Sequence, residues 1–256
     1  MKKIALIIST YKNQNYIMDC VNSIKSQIIP TGYEIDLKIG VDGCKKTSEV
    51  LSKNNIHHYY NDKNVGAYIM RNSLIALDPA EIYSYFDGDD VMLDDYISTI
   101  VKNIESGEDL VMVRKIDVDE NLKNIESYDI NNSTQNGAMS FTNKVLDLLG
   151  GYKSYKISSD IDFIKRYIEL FMKSVYICKE SGYKRRHHFN ALSKHPDTCI
   201  GSDYRDNINK IMKEELTMMR KTFSSSAIRN YINKIDMNNL KYHFRIEPEI
   251  IQLEKR

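Results

Sequence analysis

Residues 3–9, Lys-Ile-Ala-Leu-Ile-Ile-Ser, form a nearly unbroken apolar run. A strand with one wet face would alternate apolar and polar residues. A run without alternation is buried on both faces, the pattern of a parallel sheet covered by helices on either side. The following residues keep the rhythm such a sheet needs. Ile17, Cys20, Val21 and Ile24 recur at helical spacing across residues 16–27, with Asn13 or Asn15 placed to cap the helix, and Pro30-Thr31-Gly32 ends it. Residues 34–41 read as a second strand ending at Asp42-Gly43, residues 46–54 as a helix, and 56–60 as a third short strand. Asn64-Val65-Gly66 is a turn that opens a helix through Leu77, and residues 82–86 are a fourth strand. This alternation predicts right-handed crossovers and parallel pairing. The ends of strands one, two and four are Ser9-Thr10-Tyr11, Asp42 and Asp87-Gly88-Asp89-Asp90. They are expected to gather along one sheet edge, where α/β sheets bind ligands.

The second half is less regular. Residues 93–105 read as a helix, 109–118 as a strand, 121–136 as an Asn-rich loop, 137–142 as a short strand and 143–149 as a helical turn. Gly150-Gly151-Tyr152 bends the chain, and Ser158 or Ser159 caps a helix whose first turn holds Asp160 and Asp162. Residues 175–177 and 183–189 read as strands or extended segments. From Asp203 onward the spacing of Ile208, Ile211, Met212 and Leu216 is helical, and Ile228, Ile232 and Ile235 continue it. The expected organisation is one α/β domain over residues 1–200 with a C-terminal helical extension over 201–256.

No run of about 18 apolar residues occurs, so no membrane span is expected. The apolar stretch at the start is too short for a secretory leader and runs into polar Thr10-Tyr11-Lys12. Cys20, Cys44, Cys178 and Cys199 have no metal spacing, and reduced thiols in a cytoplasmic protein are the expectation. Net charge is +1 but unevenly spread. Lys165, Arg166, Lys173, Lys179, Lys184, Arg185, Arg186 and Lys194 face only Glu169 and Glu180 between Phe163 and His195, a segment suited to phosphates or an acidic acceptor, or simply solvated.

The acidic turn carries the most chemistry. Asp87, Asp89 and Asp90 crowd like charges, a repulsion that a divalent cation removes, and hard oxygen ligands suit Mg2+ or Mn2+. The plain alternative is a solvated turn. An EF-hand loop does not fit: counted from Asp87, Met92 stands where that loop needs Gly and Ser98 where it needs Glu.

Taken in order, these stretches resemble the family 2 glycosyltransferases of the GT-A fold, inverting enzymes that use nucleotide sugars. Residues 7–13, Ile-Ile-Ser-Thr-Tyr-Lys-Asn, are similar to the family's opening strand and turn. Val41-Asp42-Gly43 resembles the station that reads the nucleobase, Asn64-Val65-Gly66 with Arg71-Asn72 a third station, and Phe86 to Asp90 the acidic metal motif. Gly150-Gly151-Tyr152 with Ser159-Asp160 resembles the loop and base-bearing helix, and residues 186–193 an Arg/His segment that closes over the nucleotide in some members. The sequence departs from the pattern at Gly43 and Ser159, where the family commonly carries a further acid.

The resemblance implies a Rossmann-like, mostly parallel sheet with helices on both faces. It implies that Thr10, Tyr11 and Asp42 hold the base, with Asn64 and Gly66 beside them, and that Arg71 and Arg186 also contact the nucleotide. Asp89 would be the leading ligand for Mn2+ or Mg2+, with Asp87 between ribose and metal. Asp90 would be a second ligand or support, and His188, or its neighbour His187, a further ligand or phosphate contact. Asp160, or Asp162 in its place, would take the acceptor proton. The donor is a nucleoside diphosphate sugar, with uridine favoured, and the acceptor a glycan or other hydroxyl.

A phosphatase of the haloacid-dehalogenase type also fits Asp87-Gly88-Asp89-Asp90-Val91, but its motif belongs on the opening strand and three strands precede it here. A binding module that has lost turnover is a further alternative. Richness in Asn, Lys and Ile suggests an A/T-rich genome. Together with the basic segment it raises a nucleic-acid acceptor, such as a hydroxylated phage DNA base, beside the plainer surface polysaccharide.

Overall fold

The structure is a computed structural model and describes residues 1–125, 138–189, 191, 196, 198–199, 201–222 and 245–256. The opening run forms β1 (Lys2–Thr10). Its side chains divide between two cores: Ile4, Leu6 and Ile8 enter one, and Ala5 and Ile7 the other. This two-sided burial explains the missing polar alternation. β1 pairs in parallel with β2 (Tyr33–Asp42) on one side and β4 (Ile82–Asp87) on the other, and β2 pairs in parallel with β3 (Tyr59–Asn61).

Helices α1 (Ile17–Lys25), α2 (Lys45–Lys53) and α3 (Ala67–Ile75) are the crossovers. Ile17, Cys20, Val21 and Ile24 of α1 bury into the first core, and Met70, Leu74 and Ile75 of α3 into the second. Neither Asn13 nor Asn15 caps α1 with its side chain; the Asn13 carbonyl accepts the Ile17 amide at 2.9 Å. The third strand starts later than its sequence suggests. Residues 54–58 are still leaving α2: Asn55 has φ +54, and the Ile56 amide donates back to Leu51 O at 3.0 Å.

Beyond β4 come β5 (Val91–Met92), α4 (Tyr96–Glu105), β6 (Leu110–Val118), β7 (Met139–Thr142), α5 (Asn143–Leu149), α6 (Ser159–Phe171) and β8 (Tyr176–Arg186). The last elements are α7 (Asp203–Thr222) and β9 (Glu254–Lys255), and the sheet order is β5-β8-β6-β7-β4-β1-β2-β3-β9. The fold is therefore α/β, as expected, with a sheet of mixed direction, because β7 runs antiparallel to both β4 and β6. The two extended segments expected near residues 175 and 189 are one strand. β8 runs parallel to β6 through register shifts between Met112 and Lys115, and such bulges let a strand continue where its polar residues read as a break.

At the start of α6 neither serine acts as a side-chain cap. Ser158 sits at φ +66 with its Oγ unpartnered, and the Ser159 hydroxyl donates to Lys153 O at 2.7 Å. The helical reading from Asp203 holds through α7, whereas Ile228, Ile232 and Ile235 lie outside the described residues, as do residues 126–136 of the Asn-rich segment. The last stretch, 245–256, is extended rather than helical and returns to the sheet. Ile246 N donates to Leu149 O and Ile251 N to Ser73 Oγ, both at 3.0 Å. Tyr59 and Tyr60 pair antiparallel with Lys255 and Glu254, so the tail adds an edge strand beside β3. Cys20, Cys44, Cys178 and Cys199 are free thiols, and no helix among the described residues is long and apolar enough to cross a membrane.

Candidate active site

Parallel register decides where the strand ends meet. Ser9 stands opposite Asp87, Thr10 opposite Val41, and Asp42 opposite Asn61. The carboxyl ends of β1, β2, β3 and β4 therefore share one edge. Neighbouring strands lie about 4.8 Å apart, so the end of β1 separates Asp42 from Asp87 by about 10 Å across the sheet, with Asp42 two residues further along the strand direction.

Asp42 is 2 % exposed, and both its oxygens are engaged. Oδ1 accepts the Val65 amide at 2.8 Å; Oδ2 accepts the Gly66 amide at 2.8 Å and Asn64 Nδ2 at 3.0 Å. Burial pushes its carboxyl pKa up, while the Val65 and Gly66 amides hold it down. Asp42 thus ties the turn before α3 to the end of β2. Gly43 fits this closure. Its φ is +70, and a Cβ there would stand 2.5 Å from Asn64 N. An acid at this position would collide with the turn that Asp42 holds, which accounts for the departure from the paired-acid pattern. Beside it the Thr10 hydroxyl is buried and unpartnered, and Tyr11 is 42 % exposed with Lys12 Nζ 5.0 Å from its ring centre.

Arg71 is no surface residue. At 2 % exposure it projects from α3 across the sheet edge, where Nε donates to Ser9 Oγ at 3.2 Å and Nη2 donates to Asp87 Oδ1. Its guanidinium lies 5.3 Å from the Tyr85 ring centre and 6.0 Å from those of Tyr68 and Tyr152. Although 42 % of the Asp87 side chain is open, the surrounding protein desolvates the carboxyl and pushes its pKa up to about 6. Arg71 opposes that rise, and the negative charges of Asp89 and Asp160 add to it.

Asp89 and Asp90 diverge. Asp89 Oδ2 faces His188 Nε2 at 2.7 Å, and 20 % of the Asp89 side chain is open. His188 is 4 % exposed and tilted against Tyr16 at 4.9 Å, and its Nδ1 is buried with no partner. Asp90 turns inward, where Oδ1 accepts the Arg186 amide at 2.9 Å; burial and the neighbouring Asp89 and Asp87 push its pKa well up. Each nitrogen of the Arg186 side chain is engaged. The side chain donates to Asp89 O at 2.9 Å, to Glu120 O and to Asp19 Oδ2 at 2.7 Å, and lies 4.6 Å from the Tyr16 ring centre.

Arg186 therefore clamps the acidic turn to β8 and α1 from behind. Of the expected ligands Asp87, Asp89, Asp90 and His188, no three stand around a common point, and no metal-ligating group of three exists among the described residues. The reason is local: Arg71 draws Asp87 to one side and the Arg186 amide draws Asp90 inward. Residues 190 and 192–193 of the Arg/His segment lie outside the described residues.

The two carboxylates of α6 also separate. Asp162, 3 % exposed, binds Arg166 Nε at 2.7 Å and Lys153 Nζ at 3.0 Å. Arg166 goes on to donate to Leu149 O at 2.8 Å and Gly151 O at 2.7 Å, fixing the Gly150-Gly151-Tyr152 bend onto the helix. Asp160 instead projects to the edge, where its Oδ1 accepts the Tyr68 hydroxyl at 3.0 Å and the Ile161 amide at 2.9 Å. Tyr68 links it to the strand ends, since the Tyr68 ring centre lies 6.0 Å from the Arg71 guanidinium that binds Asp87. The paired histidines divide likewise: His188 meets Asp89, whereas His187 Nε2 meets Asp117 Oδ1 at 2.6 Å.

Sequence reasoning missed Tyr68, Tyr16 and the pairing of Lys115 and Asp117 on β6 beside Arg185 of β8. Strand alternation could have separated Arg185 from Arg186, since adjacent strand residues face opposite ways. Nothing local marks Tyr68, which depends on the docking of α3 beside α6.

The model of glycosyl transferase family 2 matches residues 5–163. Among solved structures, Staphylococcus aureus TarS 1-349 in complex with UDP-GlcNAc is similar, with a TM-score of 0.59 at 15% identity over 93% of this chain and 77% of that one. The structure of TarS 1-349 described without a ligand gives 0.57 at 17% identity over 72% and 60%. A mannosyltransferase, PcManGT from Pyrobaculum calidifontis in complex with GDP-Man and Mn2+, gives 0.59 at 12% identity over 72% and 56%. The chain thus spans 60% of that TarS 1-349 structure and 56% of the mannosyltransferase, and at these identities the likeness is one of fold. No curated protein matches the sequence. The family match extends over more than half of the residues and takes in most of β1, all of β2, β3 and β4, and Asp160, which sets the phosphatase reading aside. This chain belongs to glycosyl transferase family 2.

Proposed function

We propose that the protein transfers a sugar, with inversion, from a nucleoside diphosphate sugar to an acceptor hydroxyl, and that Asp160 is the base. The observation that carries this reading is the chain of contacts at the sheet edge, from Asp160 to the Tyr68 hydroxyl at 3.0 Å, from the Tyr68 ring to the Arg71 guanidinium at 6.0 Å, and from Arg71 to Asp87. In the reaction the acceptor oxygen forms a bond to the anomeric carbon and its proton passes to the Asp160 carboxylate. The bond from that carbon to the diphosphate oxygen breaks, and its electron pair leaves on the diphosphate. The Tyr68 hydroxyl orients the Asp160 carboxylate.

The nucleotide lies along the ends of β1 and β2. The unpartnered Thr10 hydroxyl and exposed Tyr11 meet the base there, with the Asn64–Gly66 turn held in place by Asp42. Uridine is the favoured base, in line with the UDP-GlcNAc named for TarS. Arg71 acts on the donor through Asp87, and Arg186 by holding the acidic turn in shape.

A divalent cation, Mn2+ or Mg2+, suits the site. Asp89 and Asp87 keep part of their carboxylates open, and His188 Nε2 stands 2.7 Å from Asp89 Oδ2. Such ions take one or two carboxylates and fill the rest of their shell with water and phosphate oxygens, so a preformed cage is not required. When bound, the ion supplies positive charge to the leaving diphosphate. Asp90 supports the turn rather than the ion.

A thermal-shift panel of UDP-, GDP-, CMP- and TDP-sugars, with and without Mn2+, tests the donor reading by mass action. Stabilisation by one nucleotide class that depends on Mn2+ supports it. A full panel without a shift overturns it.

A further inference from the structure

We propose that residues 245–251 brace the Gly150-Gly151-Tyr152 bend against α3, and that Asn72 is the positioning residue through which this brace sets Asp160. The inference rests on the reading of Asp160 as the base.

A short series of contacts places the base. The Asp160 carboxylate accepts the Tyr68 hydroxyl at 3.0 Å, and the Tyr68 ring meets the Tyr152 ring edge-on at 5.0 Å. Tyr152 is in turn held to α3 by its backbone. Its amide donates to Asn72 Oδ1 at 3.0 Å, and its carbonyl accepts Asn72 Nδ2 at 2.8 Å. Asn72 is 3 % exposed, so water does not compete for either bond. It lies one turn after Tyr68 on the same face of α3. One helix face therefore holds both the Tyr152 backbone and the hydroxyl that orients Asp160.

The tail presses on the same bend. Ile246 N donates to Leu149 O at 3.0 Å, and Arg245 Nη1 donates to Asp147 O. The Ile246 carbonyl oxygen lies so close to Gly150 that a Cβ has no room there. A Cβ on Gly151 would stand 2.8 Å from Asn72 Oδ1 and 3.3 Å from Pro248 Cβ, so α3 and the tail both close on that residue. Ile251 N then donates to Ser73 Oγ at 3.0 Å, which fastens the tail to α3 beside Asn72.

The bend does not move alone. Arg166 of α6 donates to Leu149 O and Gly151 O, so a shift of the bend carries α6 and Asp160 with it. α3 is anchored separately, by Met70, Leu74 and Ile75 in the second core. The strands that carry Asp42 and Asp87 are set by parallel pairing of β1, β2 and β4. Loosening the brace should therefore displace the base from a donor that still binds.

The test uses the full chain and the donor selected by the panel. Ile246→Pro removes the amide that donates to Leu149 O, Asn72→Ala removes both bonds to Tyr152, and Ser73→Ala removes the acceptor of Ile251 N. Nucleoside diphosphate release, donor affinity by calorimetry and hydrogen exchange at the Tyr152 amide are compared with wild type. A misplacement of about 1 Å costs on the order of 100-fold, so release should fall by about tenfold or more in Ile246→Pro and Asn72→Ala. Donor affinity should stay as in wild type, and the Tyr152 amide should exchange faster. A role in overall stability alone would leave turnover per folded molecule unchanged.

Wild-type release in either variant, loss of release and donor affinity together, or unchanged Tyr152 exchange in Ile246→Pro overturns the inference. Faster exchange with undiminished release in Ile246→Pro, while Asp160→Asn is inactive, fails this inference alone. Undiminished release by Asp160→Asn fails the base reading beneath it. If Ile246→Pro does not fold, Ser73→Ala carries the same test through one hydrogen bond, with release expected to fall by about threefold. Wild-type release in Ser73→Ala would then overturn the inference.

Discussion

Replacing Gly43 by alanine tests whether the turn before α3 is closed as tightly as its geometry implies. At φ +70 a side chain pays for left-handed backbone, and the new Cβ would stand 2.5 Å from Asn64 N and 2.8 Å from Lys63 C. Both atoms are backbone, so relief requires the 63–66 turn to move by nearly 1 Å, an amount read from the gap to ordinary contact distance of about 3.4 Å. Gly32→Ala is the matched control: φ is +88 there, but nothing lies within 4 Å of the added carbon. The strain alone costs about 1–2 kcal/mol. Overpacking adds about 1–3 kcal/mol at Gly43, for a total of about 2–5 kcal/mol. In a domain of this size each kcal/mol moves Tm by about 2–4 °C. Urea and thermal unfolding of both variants give the comparison, and the nucleotide affinity of Gly43→Ala should fall as well, because the displaced turn carries the amides bound by Asp42. Equal losses in the two variants would show that the close approach at Gly43 has no energetic weight and refute the explanation of the missing second acid.

Two further outcomes follow from the α6 side of the cleft. Tyr68→Phe removes the hydroxyl that donates to Asp160 at 3.0 Å. A bond to a charged group is worth about 1.5–3 kcal/mol, so turnover should drop by about tenfold or more while nucleotide affinity, read by calorimetry, stays as in wild type. Lys153 joins α6 to α7 through Asp162 at 3.0 Å and Glu215 at 2.5 Å. Burial works against its charge, but these two carboxylates outweigh burial and raise its pKa above 10.5. A cation whose folded pKa is raised stabilises fully below its unfolded value and loses that contribution as pH climbs through the folded one. Lys153→Met should therefore be less stable than wild type at pH 7, and the gap measured by urea unfolding should narrow as pH rises above 10.5.

The parallel half of the fold was legible because its signals are local. The double-sided burial of residues 4–8 leaves an unalternating run, and the strand–helix rhythm through Asp87 follows from it. The later sheet was harder. β8 crosses a bulge opposite Arg114, and its polar middle hides a continuous strand. The extended tail could not be read from its own residues, because its pairing partner is β3, far away in the chain.

At the site, residue types were readable and orientations were not. Asp160 and Asp162 are equivalent on paper, yet the helix turns one toward Tyr68 and buries the other between Arg166 and Lys153. Asp89 and Asp90 are split by the same kind of local geometry, and Arg185 and Arg186 by strand alternation. Asp42 and Arg186 spend their polar atoms on protein groups, a use that residue type alone does not mark.

The central claim is that Asp160 takes the acceptor proton beside a nucleotide held by separate groups. The most direct measurement is nucleoside diphosphate release by Asp160→Asn, using the donor selected by the panel, alongside calorimetry of that donor. The account predicts binding as in wild type and release reduced by about 100-fold or more, the usual scale for losing a general base. Release at the wild-type rate with the donor bound as before would contradict it.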